Sequence, residues 1–288
     1  MIAHVAQIGE DRGRVVVQLG SVHPSAIALE AAVRIARAFQ SEIESVFVED
    51  SQLFDCAAYS FVREVSLTGR QRRVMSANGM TQDLRLAAKG ARRQLEALAR
   101  RADVPLRSRV VRDEPLRALS IACAERGPWN VVALAEPFAG GNCEMLRQLM
   151  VEISGTTGLV TVGPKARRVS GPAIVVVEDI ERLPAMLRTA ERLAALEDNP
   201  QVVLLLVATD EERLAAMDGQ ARLVVEARED VRIQAAEVAR GEAAVVAEAL
   251  RTLQGGFVIC QFGGLVVPEA GDLRPLAGVL ECPLFLVR

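Results

Sequence analysis

Apolar and polar positions along the chain alternate between two periods, and that alternation predicts its elements. A short β-branched run at 14–19 (RVVVQL) reads as a strand and meets a turn at Gly20-Ser21. Beyond it Ile27, Ala28, Ala31, Ala32, Ile35, Ala36 and Phe39 recur three and four residues apart, which places them on one face of a helix. Ser21 or Ser25 is suited to cap that helix, with Pro24 in the first turn. A second strand follows at 42–48. The pattern then lapses until a helix over 84–101. A strand at 106–111, a helix at 115–126, a strand at 131–135, a helix at 144–153 and a strand at 158–162 complete the first half.

The same order then returns. Strands are predicted at 173–177, 201–207, 231–236, 257–260 and 283–287, with helices at 183–196, 211–229, 243–253 and 273–280 between them. Strands that are apolar throughout, each followed by a helix, imply parallel sheets covered on both faces. The fold class expected is therefore α/β: two tandem three-layer α/β/α domains, each with a mainly parallel five-stranded sheet. The stretch 163–172 (GPKARRVSGP) has no period and reads as the linker, so the domains are placed at 11–165 and 171–288.

Bulk composition narrows the functional classes. The chain has 288 residues, 50% of them hydrophobic, which is enough for two cores of ordinary size. A net charge of −3 with interspersed signs argues against a dedicated nucleic-acid binder, which carries a basic face. The five cysteines show no short spacing, which points to a reducing compartment; with no signal-like apolar stretch at the start, a cytoplasmic protein is expected. No window has the roughly 20 apolar residues of a membrane span.

No catalytic constellation emerges. The two histidines, His4 and His23, are not paired, and His23 in the first strand–helix turn reads as a cap-region residue. There is no zinc spacing and no nucleophile elbow. The sequence thus predicts no enzyme and no metal.

The segments Ser21-Val-His-Pro-Ser25, Ala28-Leu29, Ala31-Ala32, Ala36, Phe39, Glu42-Ile43 and Val46-Phe-Val48 resemble the opening of a universal stress protein domain. Cys282-Pro-Leu-Phe-Leu-Val287 is similar to that family's final strand. The resemblance implies an α/β fold of the adenine nucleotide alpha hydrolase-like type. It also implies pairing through the fifth strands, here between the halves of one chain, with a homodimer of whole chains as a further expectation. In nucleotide-binding members an Asp ends the first strand and a G-x2-G-x9-G-[ST] loop follows the fourth. Glycines there let backbone N–H groups reach the phosphates.

This sequence departs from that pattern in both halves. Gln18-Leu19-Gly20 stands where the first-strand Asp would be, and the stretches 135–143 and 263–271 lack the glycine spacing. In the second half Asp179 is a candidate equivalent, but Glu178 beside it adds negative charge where a phosphate would come. No cofactor is therefore expected; ATP or AMP in one degenerate site, either in the first half (Gly20, Ser21, Val48, Gly140 and Gly141) or in the second through Asp179, is the alternative.

The stretch 51–82 has little apolar period and carries the sole tyrosine, Tyr59, with Phe54, Phe61 and the arginines Arg63, Arg70, Arg72 and Arg73. Connections of this length are usually functional, and aromatics with Arg are enriched where partners bind. The alternative is that the aromatics cover the sheet edge or the other half. The leading expectation is a non-catalytic regulatory or stress-related protein that binds a protein partner through this stretch; the rival is an adenine-nucleotide switch.

Overall fold

The computed structural model describes residues 13–20, 24–59, 61–66, 68–70, 72–125, 129–137, 143–226, 228, 230–237 and 243–288. The first half opens with β1 (Arg14–Leu19) and α1 (Ala26–Ala38). Ser25 caps α1, its Oγ accepting the Ala28 N–H at 3.4 Å, and Ala28, Leu29, Ala31, Ala32, Ile35 and Ala36 form the buried stripe. Next come β2 (Glu42–Asp50), α2 (Ser51–Ala57), β3 (Arg63–Val65), β4 (Arg72–Val74), α3 (Ala77–Arg101), β5 (Leu106–Asp113), α4 (Pro115–Glu125), β6 (Asn130–Leu134), α5 (Cys143–Val151) and β7 (Thr156–Thr161).

The second half runs β8 (Ala173–Val177), α6 (Leu183–Ala194), β9 (Val202–Ala208), α7 (Glu211–Val225), β10 (Val231–Glu237), α8 (Ala243–Thr252), β11 (Phe257–Gln261), α9 (Arg274–Ala277) and β12 (Leu284–Val287). Expected and observed elements agree in order and differ at their ends by a few residues. The difference of substance lies in 51–82, where the aperiodic stretch contains α2, a hairpin of β3 with β4, and the first turns of α3. Three-residue strands with exposed side chains leave no alternation to read. The start of α3 is polar, set by Ser76, whose Oγ accepts the Gly79 N–H at 3.2 Å.

The main sheet has ten strands in the order β10-β9-β8-β11-β12-β7-β6-β1-β2-β5. Within each half the order is third, second, first, fourth, fifth, and all neighbours are parallel. The fifth strands meet antiparallel, with Val160 opposite Phe285 and Leu159 opposite Leu286, so the two five-stranded sets run edge to edge into one sheet.

Helices cover both faces. Val15, Val17, Val175 and Leu204 belong to the core under α1, α3, α6 and α7. Val16, Val132, Val176 and Val258 belong to the core under α4, α5, α8 and α9. Burying each such aliphatic side chain contributes about 1.5–3 kcal/mol. Across the halves, Arg34 of α1 pairs with Glu197, and Arg192 of α6 lies 5.2 Å from the Phe39 ring centre.

Buried polar groups at the amino ends of the strands are satisfied in a network. Arg14 donates to Asn130 Oδ1 at 2.8 Å, to Glu44 and to the Ala122 carbonyl, and Asn130 Nδ2 donates to the Cys123 carbonyl at 3.0 Å. Among the described residues no helix is long and apolar enough to cross a membrane.

Candidate functional site

In open parallel sheets ligands bind beyond the carboxyl ends of the strands, where the strand order reverses. Here that point falls between β1 and β6 in the first half and between β8 and β11 in the second. The register makes the halves comparable position by position. Val17 lies opposite Ser45, as Val175 lies opposite Leu204; Leu19 lies opposite Phe47, as Val177 lies opposite Leu206. Gly20 therefore corresponds to Glu178.

Both reversal points are filled by a carboxylate of the chain itself. In the first half the side chain comes from the end of the fourth strand: Glu136 lies over Gly20 and leaves no room there for a Cβ. In the second half it comes from the end of the first strand. Glu178 is 6% exposed, lies against Gly264 and leaves no room for a Cβ at that residue either. Its Oε2 accepts the N–H of Leu265 and, at 3.3 Å, that of Val266. Paired backbone N–H groups after a strand are a ready anion cradle, and here a side chain occupies it. Burial raises the Glu178 carboxyl above its ordinary range, against the two N–H bonds that favour its charged form. Its Oε1 is buried without a hydrogen-bond partner.

The other residues named for a nucleotide do not converge. Asp179 Oδ1 accepts the Glu181 N–H at 3.0 Å, which makes Asp179 a turn residue ahead of α6. Val48 is 2% exposed and belongs to the core on the α4 face. Ser21, Gly140 and Gly141 lie outside the described residues, as do His4 and His23. The sequence places the charge of Glu178 where a phosphate would come; that Glu178 and Glu136 fill the reversal points follows only from their packing against Gly264 and Gly20. The signal of that packing is an acidic residue placed within one or two positions of an apolar strand's carboxyl end, facing a glycine across the reversal point.

The segment 51–82 forms an arm on the first half. In α2 no side chain is buried. Phe54 is half-buried and stacks under Arg112, whose guanidinium carbon is 3.9 Å from the ring centre. Arg112 in turn donates twice to Glu49 Oε2, at 3.0 and 2.8 Å, so Phe54 belongs to the arm's attachment. Tyr59 and Phe61 pack together with ring centres 5.5 Å apart, and Phe61 is 76% exposed. In the hairpin Arg63 lies opposite Val74 and Val65 opposite Arg72, four exposed side chains on one face. The other face carries Arg73, ion-paired with Glu64 and, at 3.4 Å, with Asp83. Arg70 is exposed in the turn, where Gly69 has φ 70° and donates its N–H to Ser66 O at 2.7 Å.

Solved structures share this architecture. A universal stress protein from Archaeoglobus fulgidus DSM 4304 is 10% identical, with 95% of this chain and 96% of that one covered at a TM-score of 0.62. A protein of unknown function from Pseudomonas aeruginosa PAO1 is 14% identical, over 96% of this chain and 92% of its own, at 0.56. The cytoplasmic domain of a prokaryotic cation chloride cotransporter is 10% identical, over 96% and 95%, at 0.55. These likenesses show an α/β fold of the universal stress protein type. No protein-family model and no curated protein sequence matches the chain.

Proposed function

We propose that this chain is a non-catalytic regulatory protein, of the stress-related kind its fold is known for, that works by binding another protein through the arm 51–82. The observation that carries the reading is the outward face of the hairpin, where Val65 and Val74 alternate with Arg63 and Arg72 beside the exposed Tyr59–Phe61 pair. Exposed apolar side chains grouped with arginine mark binding surfaces better than solvated ones. The partner that fits presents acidic side chains around an apolar patch. In the second half the corresponding connection, between β9 and α7, is only two residues long, so the arm is an addition to the repeated plan.

The same reading holds that ATP is not bound tightly. What supports it is that Glu136 and Glu178 stand at the reversal points and repel a phosphate.

The test has two arms. Affinity capture with the wild-type chain is compared with capture by Tyr59→Ser/Phe61→Ser/Arg72→Glu, whose positions are all exposed. A partner that is retained by the wild type and lost by the variant, at unchanged melting temperature, supports the reading; partners that all bind both proteins alike overturn it. A melting-temperature titration with ATP, ADP and AMP is the second arm, because a ligand specific to the native state must raise it. No shift is expected at millimolar nucleotide, and a dose-dependent rise favours the nucleotide switch instead.

A further inference from the structure

Between α3 and the free edge of the sheet lies a groove of about 390 Å³. That size is near the lower end of the range for small-molecule sites, about 300–1,000 Å³. It exists because three small side chains face one another: Ala88 on the helix and, on the sheet below, Ser45 and Ser108, whose hydroxyls are hydrogen-bonded at 2.8 Å. Leu19, Phe47 and Val110 supply apolar walls, and Val110 is 60% exposed at the mouth.

The repeat shows what an ordinary core places at these positions. The pair Ser45–Ser108 corresponds by register to Leu204–Ile233, and Glu49 corresponds to Ala208. In the second half Leu204, Leu206 and Ala208 are buried in one cluster with Leu214, Met217 and Ala221 of α7. The same architecture is thus filled in one half and left hollow, with hydroxyls and a carboxylate, in the other.

Charge distinguishes the mouth. Arg85, Lys89 and Arg92 follow one another at four- and three-residue spacing along α3 and line the groove. Arg92 is paired with Glu96 at 2.6 Å. Arg85 and Lys89 have no ion-pair or hydrogen-bond partner among the described residues. Two unpaired cations above an apolar hollow, in a chain of net charge −3, are suited to an anionic head on an apolar body. Glu49 in the lining is held by Arg112 at 2.8 Å and favours a singly charged head over a doubly charged one.

We propose that this groove binds a compact carboxylate with an aryl or short alkyl body, its carboxylate held by Arg85 and Lys89 and its body seated against Phe47, Val110 and the two serines. The site is separate from the hairpin and does not depend on the partner reading.

The test uses the full chain with hydrocinnamate, its neutral amide and phenyl phosphate in calorimetric titrations. Saturable binding of hydrocinnamate, with weaker binding of the amide and the phosphate, is expected. Arg85→Gln/Lys89→Gln alters two exposed side chains and is expected to weaken hydrocinnamate at least about tenfold, the worth of one charge-assisted hydrogen bond. Ser108→Ile, which copies the second half, is expected to abolish binding while circular dichroism and melting temperature show the fold retained. The proposal is overturned if hydrocinnamate does not bind at millimolar concentration, if either variant binds it as the wild type does, or if the amide or the phosphate binds as well as the acid.

Discussion

Glu178 lies against Gly264, in the space a Cβ at that glycine would need, and its carboxylate takes the N–H groups of Leu265 and Val266. In the first half Glu136 stands over Gly20 in the same relation with the donor strand exchanged. The two halves thus close their strand-order reversals by different residues with the same chemistry, a carboxylate turned inward at the place where this architecture receives ligands.

Glu178→Ala leaves two backbone donors without an acceptor and is expected to lower unfolding free energy by about 1–3 kcal/mol. Glu178→Gln keeps an acceptor and removes the buried charge, so its stability near pH 7 is expected to equal or exceed that of the wild type. Because burial raises the native carboxyl above its unfolded value, the native state binds the proton more tightly. The wild type therefore gains stability relative to the Gln variant as pH falls through the native pKa, and that gain is complete below the unfolded one. Urea unfolding of both proteins between about pH 7 and pH 4 measures the difference; a difference that does not vary with pH contradicts the assignment.

Arg14, 1% exposed, is bound to Glu44, Asn130 and Ala122, while Glu44 is also ion-paired with Arg109 at 2.9 Å. Removing Arg14 leaves buried Glu44 with Arg109 alone and takes the donor from Asn130 Oδ1 and the Ala122 carbonyl. Arg14→Met is expected to cost about 3–5 kcal/mol, and Arg14→Met/Glu44→Leu less than that, since an apolar pair of similar volume is often neutral. Equilibrium denaturation of the single and double variants decides it: equal losses would show that the charge pairing is not what the network supplies.

Gly158 and Phe285 hold the seam where β7 meets β12. A Cβ on Gly158 would lie 2.5 Å from the Phe285 ring, so Gly158→Val must displace the aromatic from a buried site. Overpacking of this kind costs about 1–3 kcal/mol. Phe285→Ala in the Gly158→Val background is expected to lose less than Phe285→Ala alone, because the added methyls fill part of the vacated space; a double-mutant cycle from thermal melts measures that coupling. Strict additivity would contradict a direct contact.

Much of the architecture was legible because it depends on local regularities. The run at 173–177 is a strand in the structure with those bounds, and Ala28, Ala31, Ala32, Ile35 and Ala36 of α1 lie buried where their spacing places them. The arm was legible as a place and illegible as a shape. A hairpin of three-residue strands around Gly69 satisfies its backbone by pairing across the turn, and no periodicity records such pairing. Among the candidate site residues, Gly20 is visible in the sequence at the end of its strand, but what lies over it, Glu136, is more than a hundred residues away. Sequence gives Asp179 and Val48 only a position near a strand end, and only the direction of each side chain shows the first in a turn and the second in the core.

The sequence by itself determined the alternation of strands and helices, their order in each half, and the absence of the phosphate-loop spacing, since these follow from residue type and near-neighbour geometry. Tertiary structure alone decided that ten strands form one sheet, that Glu136 and Glu178 turn inward, and that Ser45, Ala88 and Ser108 leave a hollow under α3. Those outcomes depend on which distant surfaces meet, and the free energy of such meetings is set by burial and pairing between residues that local pattern cannot relate.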